Sequence, residues 1–274
     1  MAITAQEVNK LRQQTGAGMM DCKKALEENN GDFEQAIDYL RKKGAKVAAN
    51  RGDRDSKEGV VLAKTTADNK KGVLIWVNCE TDFVAINADF IAFADTIATI
   101  ALNSNATTKE DILNLPYNND IKVSDKFMEQ VGKIGEKIEI GYFEVITAEK
   151  VSAYIHPGNR VSVIVGFNKD LTDEAGRNVA MQAAAMAPVA LDKEGVTQEM
   201  LDRELEIARE VIRAEGKPED MVEKIAQGKI AKFYKESTLL NQEYIKDNKL
   251  TVAAYLKSLD KDLTATAFKR YALS

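Results

Sequence analysis

A β-hairpin followed by a helix is the pattern that most restricts the fold of this chain, and the sequence contains it twice. In the first copy, alternating apolar residues predict strands at 60–67 and 73–79, and a helix at 87–102 follows them. A second, weaker copy spans residues 151–187 and contains a Pro-Gly turn suited to type II geometry. Because each sheet must bury one face, the repeat predicts an α+β core of two subdomains, each with a small antiparallel sheet and helices.

The first part of the chain carries the pattern of three short helices. Thr4 and Glu7 have the spacing of a capping box at the start of the first helix, and a similar pattern opens the third. Gly31 and Gly44 occupy the positions where the second and third helices are predicted to stop. In size and pattern, residues 1–49 resemble a three-helix module of the ubiquitin-associated type.

The segment at 198–236 has a different character, because its apolar residues follow the spacing of a coiled coil. Leu201, Leu205, Ala208 and Ile212 are separated by four, three and four residues. A Gly-Lys-Pro turn then ends one helix and begins another, so the two helices are expected to pack antiparallel. The pattern leaves two alternatives open, an ordinary pair of core helices or an arm that projects toward a partner or a second copy.

Together these patterns predict an N-terminal module, a two-part core and an inserted arm. The predicted boundaries are 1–49 for the three-helix module, 50–57 for a polar linker, 58–149 for the first core subdomain, 150–191 with 238–274 for the second, and 192–237 for the coiled-coil arm.

The composition limits the classes of function. The chain has 274 residues and a net charge of −5, which argues against a broad nucleic-acid footprint. No apolar run approaches the ~18 residues of a membrane span. Cys22 and Cys79 lack the spacing of a metal site or a disulfide framework and suit a reducing, cytoplasmic compartment. With His156 as the single histidine, we expect neither an enzyme nor a site for a metal or cofactor.

The connection between the strand at 73–79 and the helix that starts near Asn87 combines an acid with a large aromatic residue. Asp82 and Phe83 lie in this connection, where surface chemistry is commonly displayed. One interpretation is that Thr81 caps a helical turn, Asp82 lies at its positive end and Phe83 turns into the core. The other is that the ring is exposed until another protein covers it, since a phenyl group carries about 150–250 Å² of apolar surface.

Several motifs resemble the elongation factor Ts family of bacterial translation factors. Thr81-Asp82-Phe83-Val84 is similar to its Thr-Asp-Phe-Val signature, and residues 11–26 are similar to its N-terminal signature. Further similarity is found, in the order of the family, at residues 30–37, 133–138, 154–156, 180–186 and 229–234. The resemblance implies a nucleotide exchange factor that binds the GTPase elongation factor Tu and promotes GDP release near its magnesium site.

The same resemblance implies which residues contact the GTPase. Asp82 and Phe83, between Thr81 and Val84, would form the wedge, and the other contacts would come from Arg12, Met19, Met20, Ile134, Gly135 and His156. From the residues alone, each has a simpler interpretation. Ile134 suits a core position, and His156 suits a polar turn. The two adjacent methionines also suit a core, although both cannot face inward from one helix start, so one is expected to be displayed.

Departures from the family pattern affect three places. Ile86 replaces a basic residue, Gln182 replaces a common histidine, and the run at 242–244 lacks a proline. They are expected to alter individual contacts without touching the Asp82–Phe83 pair. A rival hypothesis is an adaptor whose three-helix module binds a ubiquitin-like or nascent-chain partner, in which case residues 1–44 would suffice for activity. If the chain is instead an exchange factor, the arm would supply either self-association or a further partner contact.

Overall fold

The computed structural model describes residues 3–118 and 121–273 of the chain, and it opens with three helices. These are α1 (Ala5–Thr15), α2 (Met19–Glu28) and α3 (Phe33–Asn50). The predicted caps are present, because the Thr4 hydroxyl accepts a hydrogen bond from the Glu7 amide and the Asp32 carboxylate accepts one from the Gln35 amide. The helices bury a small common core of Val8, Leu11, Ala17, Cys22, Ala25, Leu26, Ala36 and Leu40.

The first hairpin becomes part of a three-stranded antiparallel sheet. Its strands are β1 (Glu58–Thr65), β2 (Lys71–Cys79) and β3 (Glu139–Thr147), in the order β1-β2-β3. Between β2 and β3 the chain forms α4 (Asp82–Ala85), α5 (Ala88–Leu102), α6 (Lys109–Asn114) and α7 (Val123–Ile134). Helix α5 packs on one face of this sheet, and α7 packs against α5 through the rings of Phe127 and Phe93. Phe90, Ile97 and Phe127 are buried in this core.

Gly44 does not end a helix, so that prediction was wrong. α3 continues through Gly44 to Asn50, and Gly44 is buried where α3 crosses α7. A β-carbon at Gly44 would lie 2.1 Å from the carbonyl oxygen of Met128, and Gly132 lies opposite it. The glycine therefore permits two helix backbones to approach closely. Gly31, in contrast, has φ of +83° just after α2, as a helix stop requires.

The second hairpin forms a matching sheet from distant parts of the chain. It contains β4 (Lys150–Ile155), β5 (Val161–Phe167) and β8 (Ala265–Ala272), in the order β4-β5-β8. Helix α8 (Asp173–Met186) covers its outer face. The C-terminal strand β8 pairs with β5, so the end of the chain returns to this sheet. The predicted α+β class is confirmed.

The two sheets pack face to face, and a separate apolar cluster lies between them. Val61, Leu74, Ile146, Val151 and Ile164 are buried between them. Hydrogen bonds also cross the interface, since the Val61 amide donates to the Asn159 carbonyl over 2.7 Å and the Ser162 hydroxyl donates to the Val61 carbonyl over 2.7 Å.

The remaining elements lie between α8 and β8. They are α9 (Gln198–Ala214), α10 (Glu219–Ser237), a short hairpin of β6 (Glu243–Tyr244) and β7 (Asp247–Thr251) that the sequence did not predict, and α11 (Val252–Leu259). The seam of α9 and α10 buries Ala208, Ile212, Val222 and Ala226. None of the helices in the described ranges is long and apolar enough to cross a membrane.

Candidate functional site

The connection after β2 forms one capped helical turn that separates inward from outward side chains. Thr81 is the N-cap of α4, and its hydroxyl accepts a hydrogen bond from the Val84 amide over 3.4 Å. Val84 packs against the core, and Ala85 is buried. Asp82 is exposed in the first turn, and its carboxylate accepts a hydrogen bond from the Phe83 amide over 2.9 Å. The carboxylate thereby lies at the positive end of the turn.

Phe83 points outward, so the interpretation that placed it in the core was wrong. Its side chain is 79% exposed, and that of Ile86, three residues later, is 74% exposed. Residues three apart on a helical turn share one face, so the two form a single apolar patch. Exposed apolar patches of this kind are typical of surfaces that another molecule covers. From the sequence, Ile86 was interpreted only as the loss of a basic residue, and its position beside Phe83 was not predicted.

A depression of about 250 Å³ links Phe83 to the end of α7. Ile134 lines this depression while also packing against the core, so it is both a core residue and part of the surface. The other residues that line it are Val84, Asn87, Asp89, Phe90, Gln130 and Lys133. Gly135 follows directly with φ of +80°, a conformation that ends α7 and that favours glycine over other residues.

Lys133 connects this depression with the corner between α1 and α2. Its ammonium group lies 3.4 Å from a carboxylate oxygen of Asp89, and its aliphatic stem lies against Gly16. Gly16 closes α1 by donating a hydrogen bond to the Arg12 carbonyl over 2.7 Å. The structure therefore places the end of α1 next to the α7 face of the depression.

Both methionines of this corner are displayed. Met19 is 52% exposed and Met20 is 74% exposed, and Arg12 is also exposed. One methionine was expected to be displayed and the other to fill the core; the second expectation was wrong, since the core is filled instead by Cys22, Ala25 and Leu26 from later in α2. The corner thus adds a second apolar surface to the one at Phe83.

His156 is exposed in the turn between β4 and β5. The Asn159 amide donates to the His156 carbonyl over 3.0 Å and Gly158 has φ of +92°, as a type II turn requires. The ring nitrogen Nδ1 lies 3.0 Å from the Tyr154 hydroxyl, which orients the imidazole. This turn contacts the start of β1, whose first residue, Glu58, pairs with Cys79 at the end of β2. The His156 turn and the Phe83 turn therefore lie at the same end of the first sheet.

Two glutamates that the sequence did not mark hold this end of the molecule together. Glu136 accepts hydrogen bonds from the backbone and hydroxyl of the Phe83 connection, and Glu80 accepts one from the Lys137 amide over 2.6 Å. Glu80 also pairs with Arg51, whose guanidinium lies 2.7 Å from its carboxylate. The sequence signal for these two glutamates was their position beside the Thr-Asp-Phe-Val and Ile134-Gly135 motifs. Acidic residues at such positions are usually solvated, so the signal was weak.

Burial and hydrogen bonding change the ionisation of two groups beside the turn. Burial raises the pKa of the Cys79 thiol to about 12, so it is a neutral group that donates to the Thr81 carbonyl over 3.2 Å. Burial alone would raise the pKa of Glu80, but the Lys137 amide and the Arg51 guanidinium outweigh it and hold that pKa below its ordinary value. The Glu80 carboxylate is therefore charged at neutral pH.

The position of Gln182 explains why that departure leaves the surface unchanged. Its side chain is fully buried, donating to Gln242 and to the Glu243 carbonyl over 3.1 Å each and accepting from the Ile245 amide over 2.8 Å. Within residues 3–118 and 121–273, no cluster of three or more acidic, histidine or cysteine side chains has the arrangement of a metal site.

Comparison with known proteins identifies one family. Residues 80–274 match the family model described as Elongation factor TS. The chain is 58% identical over 273 residues to the protein named elongation factor Ts from Christiangramia forsetii, covering 99% of this chain and 98% of that protein. It is 54% identical to the Flavobacterium psychrophilum protein of the same name, with the same coverage. The Chlorobaculum tepidum protein is 41% identical over 284 residues, covering 99% of this chain and 98% of its own length.

Proposed function

The chain belongs to the elongation factor Ts family of translation elongation factors, and from this premise we propose how it acts. It binds the GDP form of elongation factor Tu and promotes GDP release by disturbing the magnesium and phosphate site, after which GTP binds. The observation that carries this mechanism is the exposed Phe83 ring, held on a capped turn beside Asp82.

Exchange of this kind is a coupling between two sites on the partner. If the factor binds nucleotide-free GTPase more tightly than the GDP form, it must weaken GDP binding by the same ratio. Reversing a 1:99 population requires about 5.5 kcal/mol of differential binding. Burying one Phe side chain supplies about 1.5–3 kcal/mol, so the wedge needs docking surfaces around it.

The other exposed residues supply these docking surfaces. Met19 and Met20 offer apolar area, with Arg12 as a charged neighbour. Ile134 and Gly135 border the depression beside Phe83, and His156 lies at the same end of the first sheet. With the GTPase held by these contacts, Phe83 enters near the magnesium and phosphate elements, and Asp82 competes for their hydrogen bonds.

We assign the remaining parts of the chain supporting roles. Residues 1–49 act as a ubiquitin-associated-like docking module, 50–57 as a linker, and 58–149 and 150–191 with 238–274 as the core subdomains. Residues 192–237 form a coiled-coil arm, through which the chain self-associates or contacts its partner. The factor works in the cytoplasm without a cofactor, a metal or an enzymatic step of its own, and without binding membranes or nucleic acid directly.

The test is release of a fluorescent GDP analogue from elongation factor Tu in the presence of excess unlabelled nucleotide. The release rate should rise with the concentration of this protein and reach a plateau, and the released nucleotide should remain GDP. Serum albumin at the same concentration serves as the control. Binding to the GTPase without faster release would contradict an exchange function and favour the adaptor alternative.

A further inference from the structure

The connection that carries Phe83 is fixed to the end of α7 by a reciprocal pair of carboxylates. One carboxylate oxygen of Glu136 accepts hydrogen bonds from the amides of Glu80 and Thr81, over 3.0 and 3.1 Å. Its other oxygen accepts a hydrogen bond from the Thr81 hydroxyl over 2.7 Å. In the opposite direction, a Glu80 carboxylate oxygen accepts from the Lys137 amide over 2.6 Å. Each segment therefore orders the backbone of the other.

These bonds act on the residue that begins the turn. Thr81 is the N-cap of α4, so the direction of its hydroxyl and its backbone sets the axis of the turn. Phe83 itself has few contacts, since its side chain is 79% exposed. The direction in which the ring projects is consequently determined by the backbone at Glu80 and Thr81. Glu136 is the side chain that holds both of these amides.

Two further features make the arrangement rigid. Gly135 ends α7 in the left-handed conformation, which turns the chain so that Glu136 faces the Phe83 connection. Arg51, at the end of α3, lies 2.7 Å from the Glu80 carboxylate, of which only 10% is exposed. Charge-assisted hydrogen bonds of this kind are about twice as strong as neutral ones. The Phe83 turn, the end of α7 and the end of α3 are thus joined through two carboxylates.

We propose that Glu136 is a positioning residue for exchange, which fixes the angle at which Phe83 is presented to the GTPase. This role rests on the proposed exchange function. Glu136 accelerates release only through the ring that it orients, and it contributes little to holding the partner, because its carboxylate oxygens are engaged within the chain. Glu80 assists by fixing the backbone of the segment that contains Glu136.

The test compares Glu136→Gln with the unchanged protein in the GDP-release assay. A glutamine side chain keeps the size of glutamate but is neutral, so its oxygen is a weaker acceptor for the two amides, and its NH2 group cannot accept the hydrogen bond that the Thr81 hydroxyl donates. We expect the release rate at saturating factor to fall about tenfold, which corresponds to about 1.4 kcal/mol of lost transition-state stabilisation. The concentration that gives half of the maximal rate should stay within about threefold, since the docking contacts remain.

Glu149→Gln is the matched control, because Glu149 is an exposed carboxylate at the β3–β4 turn whose partner, Lys70, is also exposed. It should leave both the plateau and the half-saturating concentration unchanged. Phe83→Ala, Glu136→Gln and the double variant then form a cycle. If Glu136 acts through Phe83, adding Glu136→Gln to Phe83→Ala should slow release no further. Independent, multiplying effects would overturn the positioning role.

Amide hydrogen exchange keeps the inference testable if Glu136→Gln loses stability. Exchange at Glu80 and Thr81 should accelerate selectively in the variant, while exchange in β1 stays slow. If amide exchange accelerates throughout the chain, and the plateau rate of GDP release per folded molecule is unchanged, Glu136 has a structural role only. If Phe83→Ala slows release and Glu136→Gln does not, only the positioning role of Glu136 is contradicted and the proposed wedge stands. If Phe83→Ala has no effect, the proposed wedge fails instead.

Discussion

Gly44→Ala tests the close packing that joins the N-terminal helices to the core. The added β-carbon would lie 2.1 Å from the Met128 carbonyl oxygen, 3.0 Å from its carbonyl carbon and 3.3 Å from the Gly132 amide nitrogen. All three are backbone atoms, so no side chain can rotate away and the helices must separate. Overpacking costs typically about 1–3 kcal/mol, and a clash between two backbones belongs at the upper end.

Alanine also returns some stability, because it favours a helix over glycine by about 1 kcal/mol. We therefore expect a net loss of about 2 kcal/mol, which corresponds to a fall of about 4–8 °C in the melting temperature for a chain of this size. Thermal unfolding followed by circular dichroism measures this change, and hydrogen exchange in α3 locates it.

Gly228→Ala is the control for this prediction. Gly228 lies within α10, and a β-carbon there would meet no atom within 4 Å. The substitution should raise stability by about 0.5–1 kcal/mol through helix propensity alone. A Gly44→Ala variant that melts at or above the temperature of the unchanged protein would refute the close approach of α3 to α7.

Three further predictions follow from other contacts. Replacing residues 193–236 by a short Gly/Ser linker should leave the core folded and GDP release intact, because Ala190 and Thr238 already pair at the base of the arm; loss of the melting transition would assign α9 and α10 to the core. Glu80→Gln should cost about 1.5–3 kcal/mol at pH 7. The pKa of Glu80 in the folded protein lies below its ordinary value of 4.5. The contribution of the carboxylate to the free energy of unfolding is therefore fully present above pH 4.5. The difference in denaturant midpoint between Glu80→Gln and the unchanged protein should shrink as pH falls below 4.5, and a constant difference would contradict the ion pair. Finally, burial raises the pKa of both thiols, so Cys22 and Cys79 should react with a thiol reagent at pH 8 only after unfolding; rapid labelling of the folded protein would contradict their burial.

The elements that the sequence predicted well are those fixed by local patterns. The strand alternation at Val73–Val77 and the cap at Thr4 depend on neighbouring residues alone, and both are found in the structure. The type II turn followed from the order of proline and glycine within it.

The errors concern positions that a distant segment determines. Glycine at position 44 is typical of a helix stop, but what requires a glycine there is the backbone of Met128, 84 positions later in the chain, on a helix that crosses α3. Local propensity carries no information about such a crossing. The expectation of a core methionine at the start of α2 was wrong for a related reason, since the three-helix core is filled by residues from all three helices.

A motif in the sequence located the candidate site, but the contacts that hold it in place could not be predicted. The Thr-Asp-Phe-Val string marks where the proposed partner surface lies, and the structure adds that the ring is exposed. The roles of Glu80 and Glu136 depend on bringing together segments more than 50 residues apart, with separations of 57 and 55 residues for two of the bonds. Single acids carry no sequence signal that separates such a pair from solvated surface charges.

The most direct test of the wedge is the plateau rate of GDP release with Phe83→Ala. The ring is 79% exposed before binding, and full burial of a Phe side chain is worth about 1.5–3 kcal/mol, so its loss should remove about 1.2–2.4 kcal/mol. This corresponds to release that is slower by about 8- to 60-fold. The melting temperature should not fall, because the ring makes few contacts in the free protein. A plateau rate equal to that of the unchanged protein, with the variant folded and bound, would contradict the account.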